Sequence, residues 1–404
     1  MKNWSNARYI ILEFFNKGTP FLILPIFSHL LSPQQYSELE VMMTIFTFVQ
    51  LFCWFNVNTY YARSFYENDN NTRNRSDLAL LPLIVSFFLL VLGFVFFYEE
   101  FDLYFYTYCC LSAVLQFLFQ VNLIRYQFTN NFRLFCIIQL SATFINVTMS
   151  IFLVLYNYGA IGRFIGLTSG NTILGLMFFI SWICSDIRKT KVEFEILDKI
   201  KFGIKLLPYN VINGWLKDNL GKIILIFFSV NQNILGIYGL SFSYSLAFNV
   251  LINAMMLQLT PKLYKFKLDE KKIKDHTRKH YFLISIIFVF SLPAVVLSFL
   301  FFVSKNFHDG VFFIPIFMSA YYFNSFSLVS NVRMINLNIE KYISYISVMY
   351  IVVFFCVFVF LFFLFKINIA YSVAVSYLIG TLCQSVLSFS IVKVNSEKTR
   401  SDTI

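Results

Sequence analysis

Residues 342–392 read YISYISVMYIVVFFCVFVFLFFLFKINIAYSVAVSYLIGTLCQSVLSFSIV, and Lys366 is the single charged residue in this stretch. A helix that crosses the hydrocarbon core of a bilayer needs about 20 predominantly apolar residues. The stretch is long enough for two such helices, and Lys366 stands where the chain between them must turn. It therefore predicts two consecutive membrane-spanning helices joined by a short loop.

The composition of the whole chain agrees with this interpretation. The 404 residues are 58% hydrophobic and 13% charged, with a mean hydropathy of +0.69. Soluble domains are about 45–50% apolar and about 25% charged. A chain this apolar cannot cover itself with a surface suited to water. The composition thus excludes a soluble protein and predicts an integral membrane protein.

Twelve apolar windows follow one another along the sequence. Each is long and continuous enough for a helix, and the pattern lacks the shorter, alternating segments of membrane β-strands. A charged break at about residues 185–205 separates the sixth window from the seventh. We therefore predict an all-α polytopic membrane protein with two six-helix halves, residues 1–200 and 201–404, around a central cavity. The windows lie at about residues 10–31, 41–62, 78–98, 103–124, 134–155, 161–184, 206–229, 235–259, 281–303, 311–332, 342–365 and 368–392.

The distribution of Lys and Arg predicts how the chain is oriented. If the N-terminus is cytoplasmic and the spans alternate, 26 of the 32 Lys and Arg residues fall in cytoplasmic segments. The outer side holds only Arg163, Lys305 and Lys366. Cytoplasmic loops of membrane proteins are enriched in Lys and Arg, so we expect both termini in the cytoplasm. The net charge of +11 has the same explanation and does not indicate a nucleic-acid partner.

Several classes of function lack their motifs in this sequence. It contains no glycine-rich phosphate loop followed by Lys-Ser or Lys-Thr, no Ser/His/Asp arrangement and no zinc-ligand spacing. The seven cysteines lie in apolar stretches. His276 and His280 are four residues apart in a strongly basic segment, which favours a solvated helix near anionic lipid over a metal site. We expect no enzymatic activity, no metal and no cofactor.

Ionisable and amide side chains in the seventh window form the strongest candidate site. Charged groups are costly inside a bilayer and are functional candidates there. Asp218 and Lys222 are four residues apart and can neutralise each other, whereas Lys217 has no acidic residue at that spacing. Lys217 is thus the candidate for holding an anionic ligand. The alternatives are an ion pair with another helix or a side chain that reaches the membrane surface. At about 100° per residue, one half of the helix carries the polar residues and glycines of this window: Asn210, Asn213, Gly214, Lys217, Asp218, Gly221 and Lys222.

Other windows carry further ionisable residues. Glu13 and Lys17 repeat the four-residue spacing in the first window, although Lys17 is close enough to the cytoplasmic surface to extend towards it. Arg63 follows the second window, and the second and eighth windows are both rich in Ser, Thr, Asn and Gln. Such side chains can simply hold helices together, but their concentration here favours a polar cleft between the halves. The candidate substrate-binding residues of this cleft are Lys217, Lys222, Asp218, Asn213, Lys17, Glu13 and Arg63.

Three short motifs accompany these windows. The first opens the chain's first helix and the turn after it, the second precedes the sixth window, and the third runs from the seventh window into the eighth. Gly221 and Ser37 are departures from the patterns that these motifs resemble, where Asp and Gly respectively are common. The motifs are Gly18-Thr19-Pro20 with Pro25, Leu30-Leu31-Ser32-Pro33 and Tyr36-Ser37; Tyr158-Gly159-Ala160-Ile161-Gly162-Arg163; and Leu207-Pro208 with Trp215, Lys222 and Gly236-Ile237-Tyr238.

On these motifs the chain resembles the Wzx-type O-antigen flippases. They belong to the polysaccharide transporter branch of the multidrug/oligosaccharidyl-lipid/polysaccharide exporter (MOP) superfamily. The resemblance implies translocation of undecaprenyl-pyrophosphate-linked oligosaccharide from the cytoplasmic to the periplasmic leaflet of the bacterial inner membrane, by alternating access around a cationic cavity. It implies as partners this lipid-linked substrate, membrane lipids, and the O-antigen polymerase and chain-length regulator.

Two other functions remain open from the sequence. An ion-coupled small-molecule antiporter of the same superfamily would share the helical architecture. An O-antigen polymerase would also be a polytopic envelope protein, but it is expected to carry a large periplasmic loop. All predicted outer loops of this chain are short, on the order of ten residues or fewer, which favours a transporter.

Overall fold

The structure is a computed structural model that describes residues 2–54, 56–57, 82–91, 103–129, 131–185, 203–204, 207–208, 210–265, 270–337, 339 and 341–401. Within these ranges all regular structure is helical. Arg63 lies outside the described residues. Glu13 and Lys17 lie in the first helix, and their side chains are outside the described part.

Each of the twelve predicted windows contains a described helix, and we name these helices α1 to α12. In the described part of the chain, nine are long and apolar enough to cross a membrane. The all-α polytopic fold predicted from the sequence is thereby confirmed. The helices are α1 Lys2–Leu30, α2 Pro33–Trp54, α3 Pro82–Val91, α4 Leu103–Phe128, α5 Phe132–Leu155, α6 Gly159–Ser185, α7 in two parts, Asn210–Leu216 and Lys217–Phe227, α8 Gln232–Lys265, α9 Glu270–Phe302, α10 Phe313–Asn336, α11 Lys341–Val359 with the π-helical turn Phe360–Leu364, and α12 Ile369–Ser401.

The helices α8 and α9 are longer than their apolar windows. The windows left residues 260–280 as a connection between the eighth and ninth spans, yet α8 continues to Lys265 and α9 begins at Glu270. Lys and Glu are good helix formers, and a helix satisfies its own backbone hydrogen bonds in water as well as in lipid. Hydropathy therefore located the membrane part of these helices and not their ends.

The chain divides into two compact units. The first unit comprises Met1–Glu38 and Lys217–Ile404, and the second comprises Leu39–Leu216. The helix α1 belongs to the first unit and packs against α8. The predicted halves, residues 1–200 and 201–404, are consecutive segments of the chain. The compact units are defined by which residues pack together. The division into halves stays a prediction.

An aromatic core holds the helices of the first unit together. The helix α12 packs against α10 and α11, and α8 packs against α10. Phe242 of α8 lies edge-to-face against Phe317 of α10, with ring centroids 5.1 Å apart, and 5.8 Å from the ring of Tyr377 in α12. Such pairs add to the stability gained by burial. This core surrounds the polar residues described below.

Close backbone contact holds α5 against α6 in the second unit. Gly162, Gly166 and Gly170 recur every fourth residue along one side of α6. A Cβ atom on Gly166 would overlap the Cα and Oγ atoms of Ser150 in α5, and one on Gly170 would overlap the carbonyl oxygen of Ala142. Small residues at this spacing let membrane helices approach at backbone distance. This glycine spacing is visible in the sequence, but we did not use it to predict the contact between α5 and α6.

Candidate functional site

The seventh helix changes its form just before the candidate lysines. Residues Asn210–Leu216 are π-helical, and the ordinary α-helix begins at Lys217. A π-helix has wider turns and i to i+5 hydrogen bonds, so a spacing of 100° per residue does not hold across the whole window. The predicted polar face therefore applies from Lys217 onwards. Asn213 is half-buried and belongs to the second compact unit.

Lys217 is buried inside the first unit, where only 5% of it is exposed. Its Nζ donates hydrogen bonds of 2.7 Å to Asn324 Oδ1 in α10 and of 2.7 Å to Gln384 Oε1 in α12. It also lies 5.3 Å from the ring centroid of Tyr350 in α11. Amide oxygens accept hydrogen bonds without carrying a charge. These two partners therefore solvate the ammonium group and leave its charge in place.

Asp218 interacts with both lysines of α7. Its carboxylate lies near the Tyr377 hydroxyl and near the ammonium groups of Lys217 and Lys222. The sequence paired Asp218 with Lys222 and left Lys217 without a local partner. In the structure Asp218 interacts electrostatically with both lysines and not with Lys222 alone.

Lys222 lies against the aromatic core, and 8% of it is exposed. Its Nζ is 5.3 Å from the ring centroid of Phe242. A cation over an aromatic face gains favourable electrostatic energy, and more so where water is excluded. The structure thus provides contacts for a buried cation at this position as well.

Gly221 allows α7 to come close to its neighbours. A Cβ atom at this position would overlap the Tyr238 hydroxyl of α8 and would lie 2.8 Å from Cγ1 of Val373 in α12. An aspartate here, as the resembled family often has, would need both neighbours to move. The glycine therefore fits the packing of this chain.

Together these residues form a polar cluster with an excess of positive charge. Lys217 and Lys222 carry two positive charges and Asp218 one negative charge when all three are ionised. Charges in a low-dielectric interior act more strongly and over longer distances than charges in water. The buried Tyr350 hydroxyl has no hydrogen-bond partner among the described residues. The cluster can attract an anionic group or stabilise a nearby negative charge.

The two histidines of the basic segment are described in the structure. His276 and His280 lie on α9; the sequence favoured a solvated helix here, but His280 is buried and His276 half-buried. Within the described residues, no group of three or more His, Cys, Asp and Glu side chains is arranged to hold a metal ion.

The sequence of this chain matches that of a known protein family. The sequence profile described as "Polysaccharide biosynthesis protein" matches residues 26–307, which is more than half of the chain. The chain belongs to this family of polysaccharide biosynthesis proteins. A search of curated protein sequences finds no match for it.

Solved structures give the fold of this polysaccharide biosynthesis protein. It is similar to an outward-facing multidrug resistance MATE family transporter of the MOP superfamily, with a TM-score of 0.64 at 13% identity, covering 98% of this chain and 96% of that one. An inward-facing structure of such a transporter matches with a TM-score of 0.63 at 12% identity and the same coverage, 98% and 96%. The eukaryotic MATE transporter AtDTX14 matches with a TM-score of 0.56 at 13% identity, covering 100% and 99%. The protein therefore has the MATE transporter fold.

Proposed function

We propose that the protein is a flippase for undecaprenyl-pyrophosphate-linked O-antigen oligosaccharide in the bacterial inner membrane. The match to polysaccharide biosynthesis proteins over residues 26–307 carries this proposal. The MATE fold supports a transporter over a glycan-synthesising enzyme, and MATE structures occur in outward-facing and inward-facing forms. A lipid-linked sugar has a large polar head that cannot cross the hydrocarbon core unaided, so glycan assembly on a lipid carrier needs such a protein.

The excess positive charge beside α7 supports an anionic substrate. Pyrophosphate carries negative charge, and two lysines beside one aspartate leave one positive charge in excess that can attract it. We propose that Lys217, Asp218 and Lys222 supply the positive charge that attracts the substrate. We also propose that the substrate path includes Asn213, Lys17, Glu13 and Arg63.

We propose that both termini are cytoplasmic. The 26 Lys and Arg residues in the predicted cytoplasmic segments support this orientation. A C-terminal fluorescent-protein fusion should therefore be fluorescent, and a C-terminal alkaline phosphatase fusion should be inactive, because this phosphatase matures only in the periplasm. A phosphatase fusion after Asp102 should be active. An active C-terminal phosphatase fusion would contradict the proposed orientation.

A deletion strain tests the proposed function. Loss of a flippase should remove polymerised surface glycan and leave lipid-linked units in the membrane, and expression of the wild-type chain should restore the glycan. Loss of a polymerase should instead leave single units attached to the lipid A core at the surface. Surface-glycan gels separate the two outcomes, and single-unit molecules in the deletion strain would refute the flippase proposal.

The small-molecule antiporter is the second candidate. The similar solved structures include multidrug resistance transporters, which favours it. An antiporter predicts that the deletion strain becomes sensitive to toxic small molecules while its surface glycan stays normal. A flippase predicts the reverse.

A further inference from the structure

The first three turns of α9 carry a dense row of exposed basic side chains. This helix has 33 residues, which corresponds to a length of about 50 Å, whereas the hydrocarbon core is about 30 Å thick. Its apolar part begins at Tyr281, so the residues before it extend beyond the core. Among the side chains described in this extension, the exposed ones are Lys271, Lys272, Lys274, Asp275, Arg278 and Lys279.

The opposite side of the same turns is fixed against the protein. Ile273, Thr277 and His280 are 5%, 8% and 8% exposed, and Ile284 is fully buried. Residues at this spacing share one side of a helix. The orientation of α9 about its own axis is therefore set, and the basic side chains point away from the first compact unit.

The basic surface continues directly into an apolar one. Phe282 and Ile286 follow Arg278 at intervals of four residues, and Leu283 follows Lys279 at the same interval. Phe282 is 69% exposed, Leu283 49% and Ile286 38%. One face of α9 thus carries basic side chains at the edge of the hydrocarbon core. Exposed apolar side chains follow them on the same face, on the side of the core.

We propose that this face of α9 binds an anionic phospholipid. Arg278 and Lys279 would contact the phosphate, with Lys274 one turn further out, and the acyl chains would lie along Phe282 and Ile286. The region of headgroups is roughly 5–7 Å deep on each side of the bilayer. Lys274 to Lys279 covers about this depth at 1.5 Å per residue, whereas Lys271 and Lys272 extend into water. Asp275 on the same face reduces the charge without reversing it.

The alternative partner is an acidic protein segment. The two partners differ in how far from the hydrocarbon core they would contact α9. A polypeptide that recognises positive charge would use Lys271 and Lys272 as readily as Arg278 and Lys279. A phospholipid is held at one depth by its acyl chains, so it should depend on the pair beside the apolar surface. The exposed apolar side chains below that pair fit acyl chains and would have no role for an acidic peptide.

The test compares two double variants in the purified, delipidated full-length protein. Native mass spectrometry would measure binding of phosphatidylglycerol and of zwitterionic phosphatidylcholine. Arg278→Gln with Lys279→Gln should weaken phosphatidylglycerol binding about 30-fold, since each basic residue near an anionic surface contributes about 1 kcal/mol. The control, Lys271→Gln with Lys272→Gln, removes the same charge and should weaken it less than about threefold, because screening reduces the effect at that distance.

The outcomes are distinct. Both variants change exposed residues, so the thermal unfolding midpoint without lipid should stay that of the wild type. A preference for phosphatidylglycerol that disappears only in the Arg278/Lys279 variant supports the proposal. Equal weakening by both variants would indicate recognition of charge at any depth, as by an acidic polypeptide, and would overturn it. Unchanged binding in the Arg278/Lys279 variant, or no preference in the wild type, would overturn it too.

Discussion

Gly166→Ala should strongly destabilise the protein, although it adds a single methyl group. A Cβ atom at this position would overlap Ser150 and lie 2.5 Å from its backbone nitrogen. Helix backbones cannot move aside as a flexible side chain can, so α5 and α6 must separate. Overpacking of this kind costs about 1–3 kcal/mol and occasionally more, and we expect a value at the upper end. A thermal unfolding series in detergent, followed by size-exclusion chromatography, would measure the loss.

Gly214→Ala is the matched control. A Cβ atom on Gly214 meets nothing within 4 Å, and Gly214 is exposed. This variant should unfold at the wild-type temperature, because the added methyl group meets no atom within 4 Å. If Gly166→Ala were as stable as this control, the close packing of α5 on α6 would be wrong.

Removing the positive charge of Lys217 should reduce glycan transport about tenfold or more, on the scale of a charged hydrogen bond of about 1.5–3 kcal/mol. Lys217→Ala removes the charge, but it also leaves the amides of Asn324 and Gln384 without their donor. The amount of protein in the membrane can fall for that reason alone. Lys217→Arg keeps the charge in a different shape and should retain part of the transport.

Asn324→Asp separates charge from packing at the same site. The substitution keeps Lys217 and replaces its neutral acceptor, 2.7 Å away, with a carboxylate of nearly the same shape. A new ion pair should preserve the amount of folded protein while it cancels the positive charge. Under our proposal, transport falls as it does in Lys217→Ala. Complementation of the deletion strain with an immunoblot beside the glycan gel would measure both quantities. Normal glycan in Asn324→Asp and in Lys217→Ala would mean that this charge has no role in transport.

The sequence predicted the helices because their cause is local. Each window of about 20 apolar residues forms a helix in lipid because only a helix satisfies its backbone hydrogen bonds within the segment. The spacing of Gly162, Gly166 and Gly170 was equally local and could have indicated the contact between α5 and α6.

The partners of Lys217 had no such local cause. Asn324 and Gln384 are 107 and 167 residues away in sequence, and Tyr350 lies on yet another helix. Many amides occur in these helices, and a single sequence gives no measure of which of them meet. The π-helical part of α7 was unpredictable for a related reason, since its hydrogen-bond pattern differs from the α-helix on which hydropathy patterns are projected.

The leaflet that holds the lipid-linked sugar tests the flippase proposal most directly. Right-side-out and inside-out membrane vesicles from the deletion strain, with and without the wild-type chain restored, would be treated with a membrane-impermeant glycosidase that cleaves the unit. We predict that the accumulated units in the deletion strain are cleaved only in inside-out vesicles, and that restoring the chain makes units accessible in right-side-out vesicles. Units that are equally accessible from the periplasmic side in the deletion strain would contradict the proposal.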